Sequence, residues 1–352
     1  MKSNIKKLKN CKRVVEVKVS SDKVKDEFEK VYQGLKNVAN IPGYRVGKAP
    51  RDLLEQHYSN TAKEEVIKRL VPDTYRSLLE EHKLDPIGYP DISDVSLDKD
   101  GNFSYKATIE TRPDFTLKNY KGLKLNKKKL EVKEEEVGKN LEALREQSAN
   151  SVPKKDSDEK DKVLPKLDDE FAKDLGLENL EKLREAIREN LKQRKEIDIQ
   201  ADLELQIIDQ LVANVNFDIP DSLFNAEKNR LLKDANSRVA YMEAIQKKSN
   251  PDKKFSLSDK DKSELEENAT KQANRQIKAF FILDKIAQQE KIHLNEDDIE
   301  KKIEEMSTQY NKPKEEIRKQ LEKNNMLDEI ALNMRNKKVM DFLLKEATIK
   351  EG

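Results

Sequence analysis

Residues 12–50, KRVVEVKVSSDKVKDEFEKVYQGLKNVANIPGYRVGKAP, change their hydrophobic period twice and so decide the fold at this end of the chain. Over 12–19 three valines alternate with charged residues, which predicts a half-buried strand. The two serines that follow offer an N-cap, and apolar residues then recur at helical spacing over 22–39. The helix ends at the Pro-Gly pair of a loop over 41–50. The apolar residues of the predicted helix are Val24, Phe28, Val31, Leu35 and Val38.

The residues that follow this loop complete one domain. A second helical stretch is predicted over about 50–81, with a break near Pro72. Two extended runs come after Pro86, and the second alternates apolar and polar residues over 103–109. Residues 1–112 are therefore predicted to form an α+β domain, in which helices are inserted after the first strand of a small antiparallel sheet.

The rest of the chain is predicted to be almost entirely helical. Residues 113–148 form a connector, an extended piece followed by a helix, and residues 149–163 form a polar linker that reaches about 50 Å when extended. Helical spacing then continues over 164–352, which predicts an elongated all-α domain of seven or eight helices. No strand is predicted beyond residue 125.

The composition favours an open helical body over one large core. Charged residues make up 39% and apolar residues 35% of the chain, whereas globular proteins average about 25% and 45–50%. The 70 Lys and Arg nearly cancel the 69 Asp and Glu, and this balance, together with the helical periodicity, argues against disorder.

The charge is distributed unevenly. Residues 1–50 hold 13 Lys and Arg against 5 Asp and Glu, a net of +8, so the remaining residues have a net charge of −7. A basic end on an acidic molecule predicts a polyanionic partner such as nucleic acid at that end. The alternative is a solvated basic face.

Cysteine usage and hydropathy indicate a cytoplasmic protein. Cys11 is the only cysteine, so no intrachain disulfide can form and a reducing compartment is natural. The first residues are Lys-rich and polar and do not resemble a secretory signal. No run of about 20 apolar residues is present, which predicts that the chain neither spans nor inserts into a membrane.

The sequence offers no catalytic or metal motif. His57, His82 and His293 each stand alone among charged residues, without the spacing of a zinc site. Cys11 lacks the context of a nucleophile. Glycine-rich phosphate-binding motifs are missing, and only 9 glycines occur in the chain. We therefore expect a non-enzymatic protein without a metal or cofactor.

The loop over 41–50 carries the clearest functional signal. Two prolines bracket it, and Gly43 and Gly47 allow tight turns, so its tip should be shaped rather than floppy. Tyr44, Arg45 and Lys48 are presented together. Cations that hold phosphates beside an aromatic ring that stacks on a base or on a protein surface are typical of RNA-contacting loops.

These residues resemble the ribosome-docking loop of the trigger factor family of bacterial ribosome-associated chaperones. Residues 43–50, GYRVGKAP, are similar to that family's G-F-R-x-G-K-x-P motif, with Tyr in place of Phe. Val46 stands where many family members carry a further cation, which implies weaker docking. The resemblance implies contact with ribosomal RNA and with a ribosomal protein beside the exit tunnel through Gly43, Tyr44, Arg45, Gly47 and Lys48.

The resemblance extends along most of the chain. Residues 1–145 follow the family order of strand, helix, loop, helices and strands, residues 164–171 look like the start of its helical domain, and residues 279–347 are similar to its final helices. It implies an open cradle and an ATP-independent chaperone that shields apolar segments of nascent polypeptides and assists folding and export. Family members tend to dimerise when free, which leaves a homodimer open.

One part of the family pattern is missing. Members usually carry a prolyl isomerase domain of the FK506-binding type between the connector and the helical body, and a domain needs on the order of 100 residues. Between Leu144 and Leu164 this chain has only the polar linker. The sequence therefore predicts that the isomerase domain is absent.

Client contacts are predicted in the last helices. Binding many unrelated apolar segments requires adaptable side chains, and methionine suits this role. Core packing is the alternative for each residue of the set. The candidates are Ile303, Met306, Tyr310, Met326, Met334, Met340 and Phe342.

Three other functions compete with a tethered chaperone. A prolyl isomerase would require the missing domain. An RNA-binding or coiled-coil scaffold would also explain a basic end and long helices, but the apolar spacing breaks repeatedly at prolines and caps. A periplasmic chaperone with a similar helical cradle would require a signal sequence.

Overall fold

The computed structural model describes residues 2–98, 101–148, 150–153, 160–249 and 258–351. The chain forms two compact units, each built from two separate stretches. Unit 1 combines Met1–Thr116 with Val215–Phe281, and unit 2 combines Leu117–Asn214 with Ile282–Gly352.

The predicted domains follow the sequence order, whereas the compact units do not. Helical periodicity predicts one domain over 164–352, but residues 215–281 group with the N-terminal stretch in unit 1. Periodicity shows which side of a helix is apolar but not which element covers it. The boundaries at 112, 148 and 163 stay predictions.

A four-stranded antiparallel sheet forms one layer of unit 1, in the order β1-β2-β4-β3. Strand β2 is confirmed as predicted because Val15, Val17 and Val19 all point into the core, where they are at most 2% exposed. Alternate residues of β4, from Phe103 to Ile109, lie on the same buried face. The strands are β1 (Lys2–Lys7), β2 (Lys12–Val19), β3 (Pro86–Leu97) and β4 (Phe103–Thr111).

Helices α1 (Ser21–Lys36) and α2 (Arg51–His82) share one hydrophobic core with this sheet, which confirms the α+β fold. The helix α2 continues through Pro72, so the predicted break there is wrong, and the non-helical residue is Tyr58. Proline removes one backbone donor. Two residues further on, Thr74 is fully buried and its hydroxyl lies 2.9 Å from the Tyr105 hydroxyl, so α2 is packed against the sheet at this point.

The remaining part of unit 1 is a pair of long helices. Phe217, just before the first of them, stacks on Phe115 at 4.2 Å between ring centroids and meets Phe281 edge-on at 6.5 Å. Residues 250–257, within the predicted polar tip between these helices, lie outside the described residues. The helices are α6 (Asp221–Ser249) and α7 (Asp259–Gln289), and α7 passes into unit 2 after Phe281.

Unit 2 is mainly helical, and its buried apolar residues include two small clusters. Val137, Phe171 and Ile187 belong to the first cluster, and Ile303 and Leu321 to the second. Its helices are α3 (Glu134–Gln147), α4 (Asp169–Asp174), α5 (Leu180–Ala213), α8 (Glu296–Tyr310), α9 (Lys314–Lys323) and α10 (Leu327–Glu346).

Unit 2 also contains short strands, and of those that the structure describes only Lys124–Lys127 falls in an extended piece that the sequence predicts. The statement that no strand follows residue 125 is wrong, because each of these strands is stabilised by a partner rather than by its own apolar alternation. Strand β5 pairs in parallel with β8, and β6 pairs antiparallel with β7 within the predicted linker, whose residues 149 and 154–159 lie outside the described part. The strands are β5 (Lys124–Lys127), β6 (Asn150–Pro153), β7 (Lys160–Val163) and β8 (Thr348–Glu351).

Across the described residues, no helix combines the length and the apolar character that crossing a bilayer requires.

Candidate functional site

The 41–50 loop connects α1 to α2 and is fixed at both ends. Ile41 and Ala49 belong to the core of unit 1 and are only 4% and 5% exposed. Just before the loop, the Tyr58 hydroxyl accepts a hydrogen bond from the Asn40 backbone N–H and donates one to the Asn40 carbonyl, each at 3.2 Å. These anchors leave only the residues between Ile41 and Ala49 to project from the domain.

Two successive tight turns shape the projecting residues. The Tyr44 N–H donates to the Ile41 carbonyl at 3.1 Å, and the Lys48 N–H donates to the Arg45 carbonyl at 3.0 Å. Gly43 and Gly47 occupy the third position of these turns with φ of 84° and 86°. A positive φ at the third position is that of a type II turn, which favours glycine there. The backbone therefore sets the direction of the side chains between the glycines.

The loop presents an aromatic ring and two cations to solvent. Tyr44 is 44% exposed, and Arg45 and Lys48 are exposed. Neither cation forms an ion pair with any residue that the structure describes. Arg51, at the start of α2, is already paired. Its guanidinium lies 3.7 Å from the centroid of the Tyr32 ring and forms ion pairs with Glu29 of α1 and Glu55 of α2. The two loop cations are thus available to an external anion, and Arg51 is not.

Sequence reasoning did not assign two apolar residues, one within the loop and one before it, to the exposed surface. The helical pattern predicts that Val38 is buried on α1, but the helix ends at Lys36 and Val38 is 74% exposed. Val46 is 53% exposed between the two cations. The sequence signal for Val46 was its position between two turn glycines. These side chains give the exposed surface an apolar part that suits contact with a protein.

A second candidate surface lies in unit 2, on α8 and α9. Met306, Tyr310 and Met326 line a groove of about 370 Å³ whose inner wall includes Ile317 and Leu321. Tyr310 is 58% and Met326 is 41% exposed. We call this surface the methionine groove. It is apolar inside, and its flexible side chains can adjust to different apolar partners.

The structure does not bring the other predicted client residues into this groove. Ile303 and Met340 are 2% and 8% exposed, so they are core residues and are unavailable for contact in this conformation. Met334 lines a different groove with mostly charged walls. Phe342 is half-buried, and the Lys121 ammonium lies 5.1 Å from its ring centroid. Helical spacing could not separate these cases because core and surface methionines follow the same period.

An exposed apolar pair on α6 was also missed. Tyr241 and Met242 are 68% and 60% exposed in the C-terminal half of that helix. The sequence signal for this pair was an aromatic residue next to a methionine at positions where the polar face of the helix is expected.

Cys11 and His82, two other candidate reactive side chains, are hydrogen-bonded within unit 1. The Cys11 thiol donates to the Asp218 carbonyl at 3.0 Å. Burial, followed by the carboxylates of Asp218 and Glu110, raises the pKa of this thiol to about 11. A thiol with this pKa stays protonated at neutral pH and is a weak nucleophile. His82 lies 2.8 Å from the Ser3 hydroxyl, and the described residues contain no cluster of three metal-ligating side chains.

Family models match most of the chain. Residues 1–144 match the model of the bacterial trigger factor protein, and residues 179–345 match that of the trigger factor C-terminus. No family model of a prolyl isomerase domain matches. The two matches leave residues 145–178 between them.

Individual relatives agree with the family models. The trigger factor of Geotalea daltonii is 26% identical, and the alignment covers 100% of this chain and 98% of the relative. That of Aquifex aeolicus is also 26% identical, with 96% of this chain and 86% of the relative covered. The Geotalea alignment is 438 residues long and this chain has 352, so at least 86 positions have no counterpart here.

A solved structure has a similar fold. It is a trigger factor chaperone described for promiscuous substrate recognition in folding and assembly. The two chains are 17% identical, 98% of this chain and 100% of the other are covered, and the TM-score is 0.58. This likeness concerns the fold.

Proposed function

We propose that this chain, which belongs to the bacterial trigger factor family, is a chaperone that docks on the ribosome and shields apolar segments of nascent polypeptides. The 41–50 loop carries the proposal because its anchored backbone presents a tyrosine and two uncommitted cations. Its partners are the RNA and a protein of the large ribosomal subunit at the tunnel exit, together with unfolded chains. The site of action is the cytoplasm, and the free protein forms a homodimer.

The loop supplies two kinds of contact. Arg45 and Lys48 bind phosphate oxygens of ribosomal RNA, since both cations project from the domain. Tyr44 and Val46 contact a base or the apolar surface of a ribosomal protein. Gly43 and Gly47 bind nothing themselves and hold the turns that direct these side chains.

The helical part supplies weak client binding. The methionine groove takes one apolar side chain or a short apolar segment, and the exposed pair Tyr241 and Met242 offers a second contact in unit 1. Tethering at the tunnel raises the effective concentration of the client, so weak contacts suffice. Release follows from folding of the client, which buries the apolar residues that the groove holds.

We also propose that the chain does not catalyse prolyl isomerisation. The residues between the two matched family models, 145–178, are too few for an isomerase domain of about 100 residues. A refolding assay limited by a prolyl bond tests this directly. Refolding should proceed at the uncatalysed rate at every concentration of this protein, and a rate that rises in proportion to concentration would contradict the proposal.

Docking is tested by cosedimentation with ribosomes. The variant combines Tyr44→Ala, Arg45→Ala and Lys48→Ala. Truncation of a central aromatic or arginine anchor costs about 2 kcal/mol, so losing Tyr44 and Arg45 together should weaken binding by roughly 1,000-fold. Equal sedimentation of parent and variant would contradict docking through the loop.

A matched control keeps the loop and removes the same kinds of side chain elsewhere in unit 1. It combines Lys23→Ala, Lys25→Ala and Tyr89→Ala, all at exposed positions, with Tyr89 100% exposed. This control should bind ribosomes like the parent. Circular dichroism should show that both triple variants are folded, because none of the six side chains is buried.

A further inference from the structure

On the outer face of the sheet in unit 1, two lysines and two serines form one row across the four strands. Lys2 of β1 lies opposite Lys18 of β2, Lys18 lies opposite Ser104 of β4, and Ser104 lies opposite Ser96 of β3. We call these four residues the basic row. All four face away from the core, since the neighbouring residues Val17, Val19, Phe103 and Tyr105 are the buried ones.

Two other cations of this face, Lys106 and Lys12, are neutralised, whereas the two lysines of the basic row are not. Lys106, one row away, pairs with Asp94 at 2.8 Å and with Glu16 at 3.9 Å. Lys12, at the far end of β2, pairs with Asp221 at 2.6 Å. Lys2 and Lys18 are exposed, and neither makes an ion pair with a residue in the described ranges.

Two like charges directly opposite each other on neighbouring strands repel and destabilise the pairing. An anion that lies between the two ammonium groups relieves this repulsion and stabilises the pairing. The basic row lines an open cavity of about 540 Å³, and the hydroxyls of Ser20, Ser96 and Ser104 in its wall can donate to anionic oxygens. The one described carboxylate in the wall, that of Asp98, accepts hydrogen bonds from the Asn102 backbone and side-chain nitrogens at 2.7 and 3.0 Å.

The basic row lies at the opposite end of α2 from the 41–50 loop. The Ser3 hydroxyl, beside Lys2, lies 2.8 Å from His82 at the last turn of α2. The 32 residues of α2 span up to about 48 Å at 1.5 Å per residue. A contact at each end of this helix would fix the orientation of the domain as well as its position.

We propose that the basic row is a second ribosome contact, in which Lys2 and Lys18 bind the phosphodiester backbone of ribosomal RNA. This inference rests on the proposed ribosome docking and adds a second phosphate site to it. The ligand is recognised by charge and hydroxyl donors alone, so the contact does not read base sequence. Once the loop is bound, the second contact is intramolecular and adds affinity without a new encounter.

The salt dependence of ribosome binding tests the inference. Cosedimentation is measured at four salt concentrations for the parent and for the double variant Lys2→Gln with Lys18→Gln. Each lysine that binds a phosphate contributes about 0.7–0.9 to the slope of log affinity against log salt, so the slope should fall by about 1.5. The melting temperature of the free variant should be equal or higher because the cross-strand repulsion is gone.

Two further variants separate local from general charge effects. The double variant Lys2→Arg with Lys18→Arg keeps both charges and should restore the slope of the parent. The double variant Lys173→Gln with Lys192→Gln removes two exposed charges in unit 2 and should leave the slope unchanged.

The outcomes distinguish failure of this inference from failure of the proposed docking. An unchanged slope for the Lys2 and Lys18 glutamine variant, while the loop variant loses binding, overturns the basic row and leaves docking intact. Full binding by the loop variant overturns the proposed docking through the 41–50 loop, on which this inference rests. Saturable binding of inorganic phosphate that depends on these lysines, together with an unchanged ribosome slope, would make the cavity a small-anion site and would also overturn the RNA contact.

Discussion

The 41–50 loop and the methionine groove form their binding surfaces in opposite ways. In the loop, two glycines with positive φ and two backbone hydrogen bonds fix the chain, so the shape exists before any partner arrives. In the groove, Met306 and Tyr310 lie on α8 and Met326 lies just before α10, and the adaptable parts are the side chains of these three residues. A fixed backbone suits one constant partner, whereas flexible side chains suit many different ones.

The same comparison applies to the residues that support each surface. Ile41 and Ala49 hold the loop from the core of unit 1, and Ile317 and Leu321 underlie the groove. Supporting residues should change stability when altered, whereas exposed residues should change binding. The following variants test this division.

The largest effect is expected from Ile303→Ala. Ile303 is 2% exposed and packs with Ile317 and Leu321, so its truncation should lower the free energy of unfolding by about 2–5 kcal/mol. Urea denaturation followed by circular dichroism measures the change. Met326→Ala, at a position 41% exposed, is the control and should cost well under about 1 kcal/mol. Loss of client binding by Ile303→Ala without loss of stability would restore this residue as a client contact.

The next effect is expected at the turn glycines. Gly43→Ala places a Cβ at a φ of 84°, which costs about 1–2 kcal/mol. Either the folded state keeps this strain and loses stability, or the turn relaxes and ribosome affinity falls about tenfold. Denaturation and cosedimentation together detect both responses.

Gly34→Ala provides the matched control for the glycine variant. Gly34 lies inside α1 and no heavy atom lies within 4 Å of the position of an added Cβ. The control should therefore raise stability by roughly 0.5–1 kcal/mol. A loss at Gly34 equal to that at Gly43 would show that positive φ is not the cause.

A smaller effect is expected in the groove. Met306→Ser combined with Met326→Ser should weaken binding of an unfolded client by several-fold, or about 1 kcal/mol, because each contact is one of many. Met306→Leu with Met326→Leu should keep most of the affinity, since the groove needs apolar volume rather than a fixed shape. Fluorescence anisotropy with a labelled unfolded polypeptide measures both variants. Equal loss in the leucine pair would mean that the groove recognises methionine specifically.

The smallest effect is expected from Val46→Lys. Position 46 is 53% exposed between the two cations of the loop, so a third cation there should raise the salt slope of ribosome binding by about 0.7–0.9. The affinity at fixed salt should rise by only a few-fold, because the valine's apolar contact is lost. No change in slope would place residue 46 against protein rather than RNA.

Local sequence was a good guide to the loop and a poorer guide to the groove. The turns at Gly43 and Gly47 depend on residues next to them in the chain, so their signal was complete in the sequence. Met326 is exposed and Met340 is buried because of the way in which α8, α9 and α10 pack together. The misplacement of Val38 has a different origin, since helical spacing continued past Lys36 but the helix did not.

The sequence by itself determined strand β2, the amphipathic helix after it, the bracketed loop and the family. Each of these is carried by the preferences of neighbouring residues: valine alternation, helical spacing, and the dihedral freedom of glycine and proline. The tertiary structure alone decided that residues 215–281 join the N-terminal unit, that β5 pairs with β8, and that Lys2 lies opposite Lys18. These features are contacts between residues far apart in the chain, and no local preference encodes which distant partner a residue meets.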